Sequence, residues 1–444
     1  MIVLKFGGTS VGNVANIKKV ATIVNSYKEK KMIVLSAVSG TTNTLTTIND
    51  LVAANKKEEA LLVINELEFS YHVLVNELFT SEYYQLKALT FVKNCFDHIC
   101  SLARENAEND KIILAQGEII STNLFQLYQM ELGNESKLIS ALDFMYIDRH
   151  GEPDTETIKI KLSNILSQEN TDTYITQGYI CTNSIDEIDN LKRGGSDYTA
   201  SLIGAAINAS EIQIWTDIDG MHNNDPRYVE NTFSIDEISF DEAAELAYFG
   251  AKILHPQSII PAQKNKIPVL LKNTFNPDDT GTIIKNCENS QGVRAIAAKD
   301  GIIAIKIKSY RMLMAYGFLK KIFEVFEKYQ TAIDMITTSE IAVSLTIDDA
   351  RHLTQITNEL LVFGKVEVDK QMSIICLSGN FSQSGKGISA SVINCLKDIP
   401  IRMISYGGSN YNMSLLVATE DKINALNLLN EGLFVQKQLQ EIQI

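Results

Sequence analysis

The first forty residues constrain the fold most, because strand, helix and strand patterns follow one another closely. An apolar run, IVLKFG, precedes an amphipathic helical pattern over residues 15–27 and a second apolar run, MIVLSAV, that leads to Ser39 and Gly40. Two strands joined by a helix pair in parallel, and open parallel sheets bind ligands at the carboxyl ends of their strands. The pattern therefore predicts an α/β domain with Lys5 and Ser36 near one crevice.

A lysine and two glycines end the first strand, in the stretch Lys5-Phe6-Gly7-Gly8. Glycine lets backbone N–H groups approach an anion closely, and the lysine adds a positive charge beside them. The stretch is not a P-loop, because its lysine precedes the glycines. On these residues alone, a phosphate site and a simple turn before the helix are both open.

The composition is that of a folded, acidic protein. A length of 444 residues predicts two to four domains, and 45% hydrophobic with 21% charged residues is far from the disordered range. The net charge of -14 argues against nonspecific binding to nucleic acid or to an anionic membrane. The six cysteines form no C-x-x-C pair, no histidine has a metal-ligand spacing, and no stretch approaches a membrane span. We therefore predict reduced thiols, no metal held by side chains alone and a cytoplasmic protein.

Helical and strand patterns alternate up to about residue 290. Residues 56–104 carry apolar residues at helical spacing, which predicts two or more long helices with His72 and His98 as ordinary helix residues. Further α/β units are predicted near residues 111–122, 137–144, 173–182 and 211–220. Each has a short apolar run that meets glycine or a small polar residue. The stretch KNTFNPDDTGTII is expected to close the first domain, with a boundary near 290–300.

The last third of the chain contains an internal repeat. Gly317 corresponds to Gly387, and Ser344 to Ser414, at an offset of seventy residues in both cases. Each copy runs strand, helix, strand, strand, so two small β-α-β-β units are predicted. Neither copy carries a plausible catalytic cluster, and we expect the repeats to sense a ligand or to assemble subunits.

The strongest signal for a site is Arg193-Gly194-Gly195-Ser196-Asp197 at the start of a helix rich in small residues. A guanidinium fork, exposed N–H donors and the positive end of the helix dipole all favour an anion. A plain N-cap would explain the serine and the aspartate but not the adjoining arginine. We therefore expect an anion-binding site at this helix start.

Polar residues also follow the predicted strand near 211–220, in Thr216-Asp217 with Asp219, and Arg227 comes shortly after. The two acids could hold a divalent metal or hydrogen-bond a ribose, and the arginine could reach phosphates. Turn chemistry alone would also select such residues, so both interpretations stay open.

Two more charged residues lie beside glycines. Lys252 follows Gly250 in FGAKILHP, and Glu118 follows Gly117 at what the pattern predicts to be a strand end. Glu118 is the natural partner for a substrate ammonium group, although an isolated glutamate is usually just solvated.

Together these motifs resemble the aspartokinases of the amino acid kinase superfamily. The motifs are KFGGTSV, Gly117-Glu118, RGGSDYTA, WTDIDG with DPR, FGAKILHP and KNTFNPDDTGT, and the repeated C-terminal unit is similar to that family's paired ACT domains. The resemblance covers nearly the whole chain. It implies an α/β protein with a three-layer α/β/α amino acid kinase fold and a mainly parallel central sheet. Two α+β, ferredoxin-like ACT domains would follow, giving domains at 1–295, 296–370 and 371–444.

The resemblance also implies roles for individual residues. The catalytic residues would be Lys5 and Asp197. Aspartate would be bound by Ser36, Thr42, Glu118, Arg193 and Ser196. The nucleotide would be bound by Lys5, Gly7, Gly8, Thr216, Asp217, His222, Arg227, Lys252 and Ile253.

Two stretches depart from the family pattern. The usual TLGRGGSD is NLKRGGSD here, with Asn190 and Lys192 in place of threonine and glycine. This change bears on the loop geometry and on substrate affinity. The tyrosine usual after DGV or DGI is His222, which bears on adenine stacking.

By resemblance, the reaction would transfer a phosphoryl group from Mg-ATP to L-aspartate and give 4-phospho-L-aspartate. This is the first step of lysine, threonine and methionine biosynthesis. The acceptor carboxylate, with a reference pKa of about 3.9, is ionised at neutral pH and needs no general base. Lys5, the glycine amides, Lys252 and Mg²⁺ would stabilise the transferring group. Arg193 would clamp an aspartate carboxylate, Glu118 would pair with the ammonium group, and Asp197 would orient Lys5 or the substrate.

The ACT-like repeats imply feedback inhibition by an amino acid, with L-lysine favoured. The positions that match lysine-binding ones in the family are Met312, Gly317, Phe318, Leu319, Asp334, Ser339 and Glu340. Asp334 and Glu340 could take up an ammonium group, whereas Phe318 and Leu319 could equally well just begin an amphipathic helix. Ala315 stands where lysine-sensitive members often carry a polar residue.

Two other functions stay open on the sequence. A related kinase could phosphorylate glutamate or another carboxylate. Alternatively, the protein could be a noncatalytic amino-acid sensor, and the intact lysine, glycine and RGGSD cluster argues against this interpretation. The resemblance implies a homodimer formed through the ACT domains, or a tetramer built from such dimers. Because the chain ends at residue 444, we expect a monofunctional enzyme without a homoserine dehydrogenase domain.

Overall fold

The computed structural model describes residues 1–105, 110–191, 194–249, 254–287, 292–312, 316–381 and 386–435. These residues form two compact units. The first comprises residues 1–221, 235–240 and 254–287, and the second comprises the other described residues. Over the described ranges, every helix is too short or too polar to cross a membrane.

The first unit is built around an eight-stranded sheet, and its opening β-α-β pattern forms as the sequence predicts. The strands are β1 (Ile2–Phe6), β2 (Lys31–Leu35), β3 (Lys137–Leu138), β4 (Thr173–Gln177), β7 (Ile212–Thr216), β8 (Glu237–Ser239), β9 (Val269–Asn273) and β10 (Thr282–Lys285), with β5 (Ile180–Thr182) and β6 (Ile188–Asn190) in a separate hairpin. The order is β3-β4-β2-β1-β7-β9-β10-β8. Neighbours pair in parallel apart from β9 with β10, which confirms a mainly parallel sheet.

Helices cover both faces of this sheet. They are α1 (Val14–Ser26), α2 (Thr41–Ala53), α3 (Lys57–Leu78), α4 (Glu82–Arg104), α5 (Asp110–Glu131), α6 (Thr155–Gln168), α7 (Gly195–Ile207) and α9 (Ile260–Lys264). The helix α8 (Phe240–Phe249) lies mostly in the second unit. The two long helices predicted over residues 56–104 are α3 and α4, which contain His72 and His98 respectively.

Side chains alternate along β1, so neighbouring residues point to opposite faces of the sheet. Leu4 and Phe6 point into a core shared with α1 to α5 and with Trp215 of β7. Successive side chains of a strand point to opposite faces, so Lys5 points to the other face of the sheet. That face is covered by α7, which contacts β1, β2 and β7. Lys5 is thereby placed beneath the helix that carries Asp197.

One predicted strand is a helix. The stretch near 111–122, interpreted above as an α/β unit with Glu118 at a strand end, lies inside α5. That interpretation is wrong, because this helix is buried on several sides, with Ile113, Gln116, Gly117 and Ile120 all inside. A helix buried nearly all round lacks a polar stripe and is hard to tell from a buried strand by its pattern. The unit predicted near 137–144 is also reduced, since the strand there has only the two residues of β3.

The second unit contains a six-stranded antiparallel sheet. Its strands are β11 (Gly292–Lys308), β12 (Ile336–Ser339), β13 (Ala342–Ile347), β14 (Lys365–Asn380), β15 (Met403–Tyr406) and β16 (Asn412–Ala418), in the order β12-β13-β11-β14-β16-β15. Its further helices are α10 (Phe318–Lys328), α11 (Leu353–Leu360), α12 (Ile388–Cys395) and α13 (Lys422–Asn430).

The predicted repeat is present as two strand-helix-strand-strand-helix units that begin at β11 and β14. Gly317 and Gly387 take the same place before α10 and α12, with φ of 76° and 82°. The two cores share the long strands: Ile305 packs with α10 and α11, whereas Ile296 of the same strand packs with α12 and α13. The predicted domain boundary after residue 370 therefore falls inside β14, and the sequential division at 296–370 and 371–444 stays a prediction.

Candidate active site

Lys5 and Asp197 form an ion pair near the carboxyl end of β1. The Lys5 Nζ atom lies 2.7 Å from Asp197 Oδ1, and the two side chains are 10% and 17% exposed. Asp197 stands in the first turn of α7, which begins just after Gly194. An ion pair this far from solvent is screened less than a surface pair. The predicted catalytic residues are thus in contact.

Two serines join the end of β2 to the same helix. Ser36 directly follows β2, and its Oγ atom donates a hydrogen bond of 2.9 Å to Ser196 Oγ. A side chain at Gly178, the residue after β4, would overlap Ser196, since its Cβ would lie 2.9 Å from Ser196 Cα. Glycine at this position therefore allows the start of α7 to pack against the strand ends. Thr42, also predicted to bind substrate, is the second residue of α2 and is half-buried.

Glu118 is brought to this region by α5 rather than by a strand. Its side chain is buried, and its carboxylate accepts a hydrogen bond of 3.3 Å from the Ala37 backbone N–H. Its other oxygen, Oε2, is buried without a hydrogen-bond partner. Burial raises the pKa of Glu118 to about 7, against the opposing effect of the Ala37 N–H. The site thus holds one carboxylate oxygen in need of a cationic partner.

The glycine turn after β1 is tied to the neighbouring strand. The Gly7 N–H donates to the Trp215 carbonyl at 3.2 Å, so this amide is engaged in holding β1 to β7. The predicted use of the Gly7 amide as a phosphate donor stays a prediction. A Cβ on Gly7 would lie 3.4 Å from Lys5 Nζ, which is an ordinary van der Waals contact. Gly8 approaches the end of β2, and a Cβ there would lie 3.1 Å from the Ala37 carbonyl oxygen.

The predicted nucleotide residues after β7 lie at the same edge of the sheet. Thr216 ends β7, and its Oγ1 donates a hydrogen bond of 3.0 Å to Asp217 Oδ1. Asp217 is exposed, whereas Trp215, the residue before Thr216, is buried and stacks on Phe6 with ring centroids 5.8 Å apart.

His222 and Arg227 belong to the second unit. His222 is half-buried, and its Nδ1 lies 3.3 Å from Thr232 Oγ1. The Arg227 side chain is 73% exposed and its Nη2 lies 2.6 Å from Asp225 Oδ2. In this structure its guanidinium is paired with a neighbouring carboxylate, and its predicted contact with phosphates stays a prediction.

Arg193, Lys252 and Ile253, which were predicted to bind substrate or nucleotide, lie outside the described residues, as do the departures at Lys192 and Ala315. Within the described residues, the structure contains no group of three or more His, Cys, Asp or Glu side chains placed to hold a metal ion.

The predicted effector positions lie in the first repeat of the second unit. Ser309 N–H donates to the Ile341 carbonyl at 2.8 Å, which brings the end of β11 and the following Met312 turn beside the turn of Ser339 and Glu340. Both of these turn residues are exposed.

Gly317, Phe318 and Leu319 form the start of α10. Phe318 and Leu319 pack against the core of this repeat, as the amphipathic-helix interpretation requires. Packing of these two side chains therefore explains their apolar character without an effector, and their predicted contact with one stays a prediction.

Asp334 forms an ion pair with a lysine of the same chain. Lys299 Nζ lies 2.9 Å from Asp334 Oδ1 and 2.9 Å from Asp348 Oδ2, and the Tyr248 hydroxyl donates to Asp334 Oδ1 at 2.9 Å. The Asp334 side chain is only 1% exposed. It precedes β12 whereas Glu340 follows it, six residues or about 20 Å along an extended chain. The two acids therefore do not meet within one chain.

Sequence reasoning missed both partners of Asp334. Lys299 and Tyr248 carry no motif, and they lie 35 and 86 residues from the aspartate. A similar pair, Lys111 with Asp189 at 2.6 Å, joins α5 to the hairpin that precedes RGGSD. Long-range ion pairs of this kind leave no local pattern, so the sequence carried no signal for them.

Comparison with known proteins agrees with this architecture. Residues 1–273 match the amino acid kinase family, and residues 375–433 match an ACT domain. The lysine-sensitive aspartokinase 3 of Escherichia coli K12 is 33% identical over 453 residues, covering 98% of this chain and 99% of that protein. Crystal structures of E. coli aspartokinase III, one with aspartate and ADP (R-state) and one with lysine and aspartate (T-state), superpose with TM-scores of 0.82 at 32% identity. Each covers 98% of this chain, and they are themselves covered to 100% and 99%. The chain belongs to the aspartokinase family.

Proposed function

We propose that this protein transfers the γ-phosphoryl group of Mg-ATP to the side-chain carboxylate of L-aspartate, giving 4-phospho-L-aspartate and ADP. The observation that carries the proposal is one continuous set of contacts at the sheet edge. Glu118 bonds to Ala37, the adjacent Ser36 bonds to Ser196, and Asp197 next to it pairs with Lys5. An acceptor with two carboxylates and an ammonium group needs this mixture of cation, hydroxyls and buried anion.

Catalysis of this reaction requires mainly that the protein positions the substrates and stabilises charge. The aspartate side chain is ionised at neutral pH, so it can attack without a general base. The obstacle is the approach of two anions and the charge that spreads over the transferring group. Lys5 supplies a fixed positive charge there, Asp197 holds its ammonium group in place, and the hydroxyls of Ser36 and Ser196 can orient the acceptor. Mg²⁺ carried by the nucleotide would neutralise further charge.

Glu118 is the proposed partner of the aspartate ammonium group. Its unpartnered Oε2 is buried, and an unpaired carboxylate in that position is costly. A substrate ammonium group would relieve this cost and give the site a preference for amino acids over plain dicarboxylic acids. The E. coli enzyme that superposes on this chain was crystallised with aspartate and ADP, which supports both substrates.

We extend the proposal to feedback inhibition by L-lysine at the first repeat of the second unit. The related E. coli enzyme is named lysine-sensitive and was crystallised with lysine. In this chain, the exposed turn of Ser339 and Glu340 beside Met312 offers a carboxylate and a hydroxyl for an amino acid. Assembly into dimers and a cytoplasmic location stay predictions from the sequence.

The catalytic proposal is tested with Lys5→Ala, assayed for ADP release with saturating Mg-ATP and L-aspartate. Loss of one preorganised donor to the transition state costs about 2.7–4 kcal/mol, so kcat should fall about 10²- to 10³-fold. Lys18→Ala, on the exposed side of α1, is the matched control and should keep full activity. A folded Lys5→Ala variant with unchanged kcat would exclude this assignment.

A further inference from the structure

A tyrosine of α3 makes a buried hydrogen bond to the loop that carries the predicted substrate residues. The Tyr71 hydroxyl lies 2.8 Å from Thr41 Oγ1, and both residues are buried. The other buried residues of α3 are all apolar, namely Ala60, Ile64, Val75 and Leu78. The Tyr71 ring packs on Phe96, with centroids 5.7 Å apart. The Tyr71 hydroxyl is therefore a buried polar group of α3, and it is directed at Thr41.

Thr41 is where the loop after β2 becomes α2. Its backbone N–H donates to the Val38 carbonyl at 3.0 Å and closes the turn that leads from Ser36 into the helix. The next residue, Thr42, is a predicted substrate residue. A side chain that fixes Thr41 therefore fixes the connection between two predicted substrate residues.

The same threonine also packs against α5 beside Glu118. A Cβ on Gly117 would lie 3.3 Å from Thr41 Cγ2 and 2.9 Å from Ala37 Cβ, so glycine is needed for the helix to come this close. The Ala37 N–H is the donor to Glu118. The position of Thr41 is thus coupled to the position of the buried carboxylate.

From these contacts we propose that Tyr71 is a positioning residue for the amino-acid substrate, acting through Thr41 on the loop at residues 36–42 and on Glu118. The inference rests on the proposed function, since it concerns the acceptor of that reaction. The two hydroxyls satisfy each other where both residues are buried, and removal of one partner leaves the other unsatisfied. The loop then shifts toward another partner. This disturbs acceptor binding more than nucleotide binding, because Ser36 and Thr42 lie in the loop itself whereas Gly8 contacts it at Ala37.

The test compares KM for L-aspartate, KM for ATP, kcat and Tm among wild type, Tyr71→Phe, Thr41→Val and the double variant. Loss of a hydrogen bond of this kind corresponds to about fivefold in an equilibrium constant. We expect KM for aspartate to rise about fivefold or more in each single variant, with KM for ATP and kcat nearly unchanged. Both single variants remove the same bond, so the double variant should show less than the product of the two effects.

Tyr174→Phe is the matched control. Tyr174 is fully buried, and its hydroxyl donates to the Glu169 carbonyl at 3.1 Å near the amino end of β4, the edge of the sheet opposite Lys5. This change should lower Tm without altering KM for aspartate. The inference is overturned if Tyr71→Phe lowers Tm yet leaves KM for aspartate at the wild-type value, or if KM for both substrates rises in parallel. Wild type without aspartate-dependent turnover would instead refute the proposed function.

Discussion

The pH dependence of stability should reveal the buried Glu118. Burial raises the pKa of this carboxyl from 4.5 to about 7 in the free protein. A carboxyl whose folded pKa is raised contributes stability that is fully present below its unfolded pKa and lost as pH rises through the folded value. The raised pKa corresponds to a loss of about 3 kcal/mol once the pH is well above 7. Glu118→Gln removes the titrating group and should remove this loss.

The assay uses the only tryptophan of the chain, Trp215, which is buried in the first unit and stacks on Phe6. Its fluorescence reports urea unfolding of that unit. Between pH 5 and pH 8.5, wild type should lose about 2–3 kcal/mol more stability than Glu118→Gln. The informative quantity is the change in the free energy of unfolding between pH 5 and pH 8.5, because the glutamine amide also leaves a buried donor unsatisfied at every pH. Glu66→Gln, on the exposed face of α3, should follow the wild-type pH profile.

Ionisation of Glu118 should also affect substrate binding, but here it should be favourable. An ammonium group pairs with the ionised carboxylate, so KM for aspartate in wild type should fall as pH rises from 6 to 8. In Glu118→Gln it should be higher and nearly independent of pH over that range. If the free energy of unfolding of wild type and Glu118→Gln depended on pH in the same way, ionisation of Glu118 would not destabilise the free protein, and this interpretation would be refuted.

Three further predictions follow from other contacts. Gly178→Ala forces the start of α7 off the strand ends and should cost about 1–3 kcal/mol and lower kcat, whereas Gly408→Ala, with nothing within 4 Å of its added carbon, should do neither. Lys299→Met leaves a buried carboxylate without its cation and should lower Tm by several degrees; Lys320→Met, in an exposed pair, should change it little. Glu340→Ala should lose inhibition by L-lysine in the turnover assay while keeping activity, and unchanged inhibition would remove that assignment.

The opening of the first unit could be predicted because its signals are local. The short strands that contain Lys5 and precede Ser36 flank one amphipathic helix, and this arrangement alone places both residues at one sheet edge. Alternation along β1 then directs Lys5 to the face covered by α7, which explains why it meets Asp197. The repeat was likewise visible, because Gly317 and Gly387 must adopt the same positive φ before their helices.

The position of Glu118 could not be predicted for a physical reason. Its helix is buried among other elements, so the hydrophobic period that distinguishes helix from strand is lost. Gly117 reinforced the error, since glycine usually marks a turn, whereas here it allows α5 to approach Ala37 and Thr41. The lysine that pairs with Asp334 was also invisible, because that contact joins distant parts of the chain.

The most direct test of the account is the identity of the phosphoryl acceptor. Purified protein with Mg-ATP is given L-aspartate, L-glutamate or no amino acid, and both ADP release and acyl phosphate, trapped with hydroxylamine, are measured. We expect ADP and trapped acyl phosphate in equal amounts with L-aspartate, and only background with L-glutamate or without an amino acid. Equal turnover with L-glutamate, or ADP release without trapped product, would contradict the assignment of this site to aspartate phosphorylation.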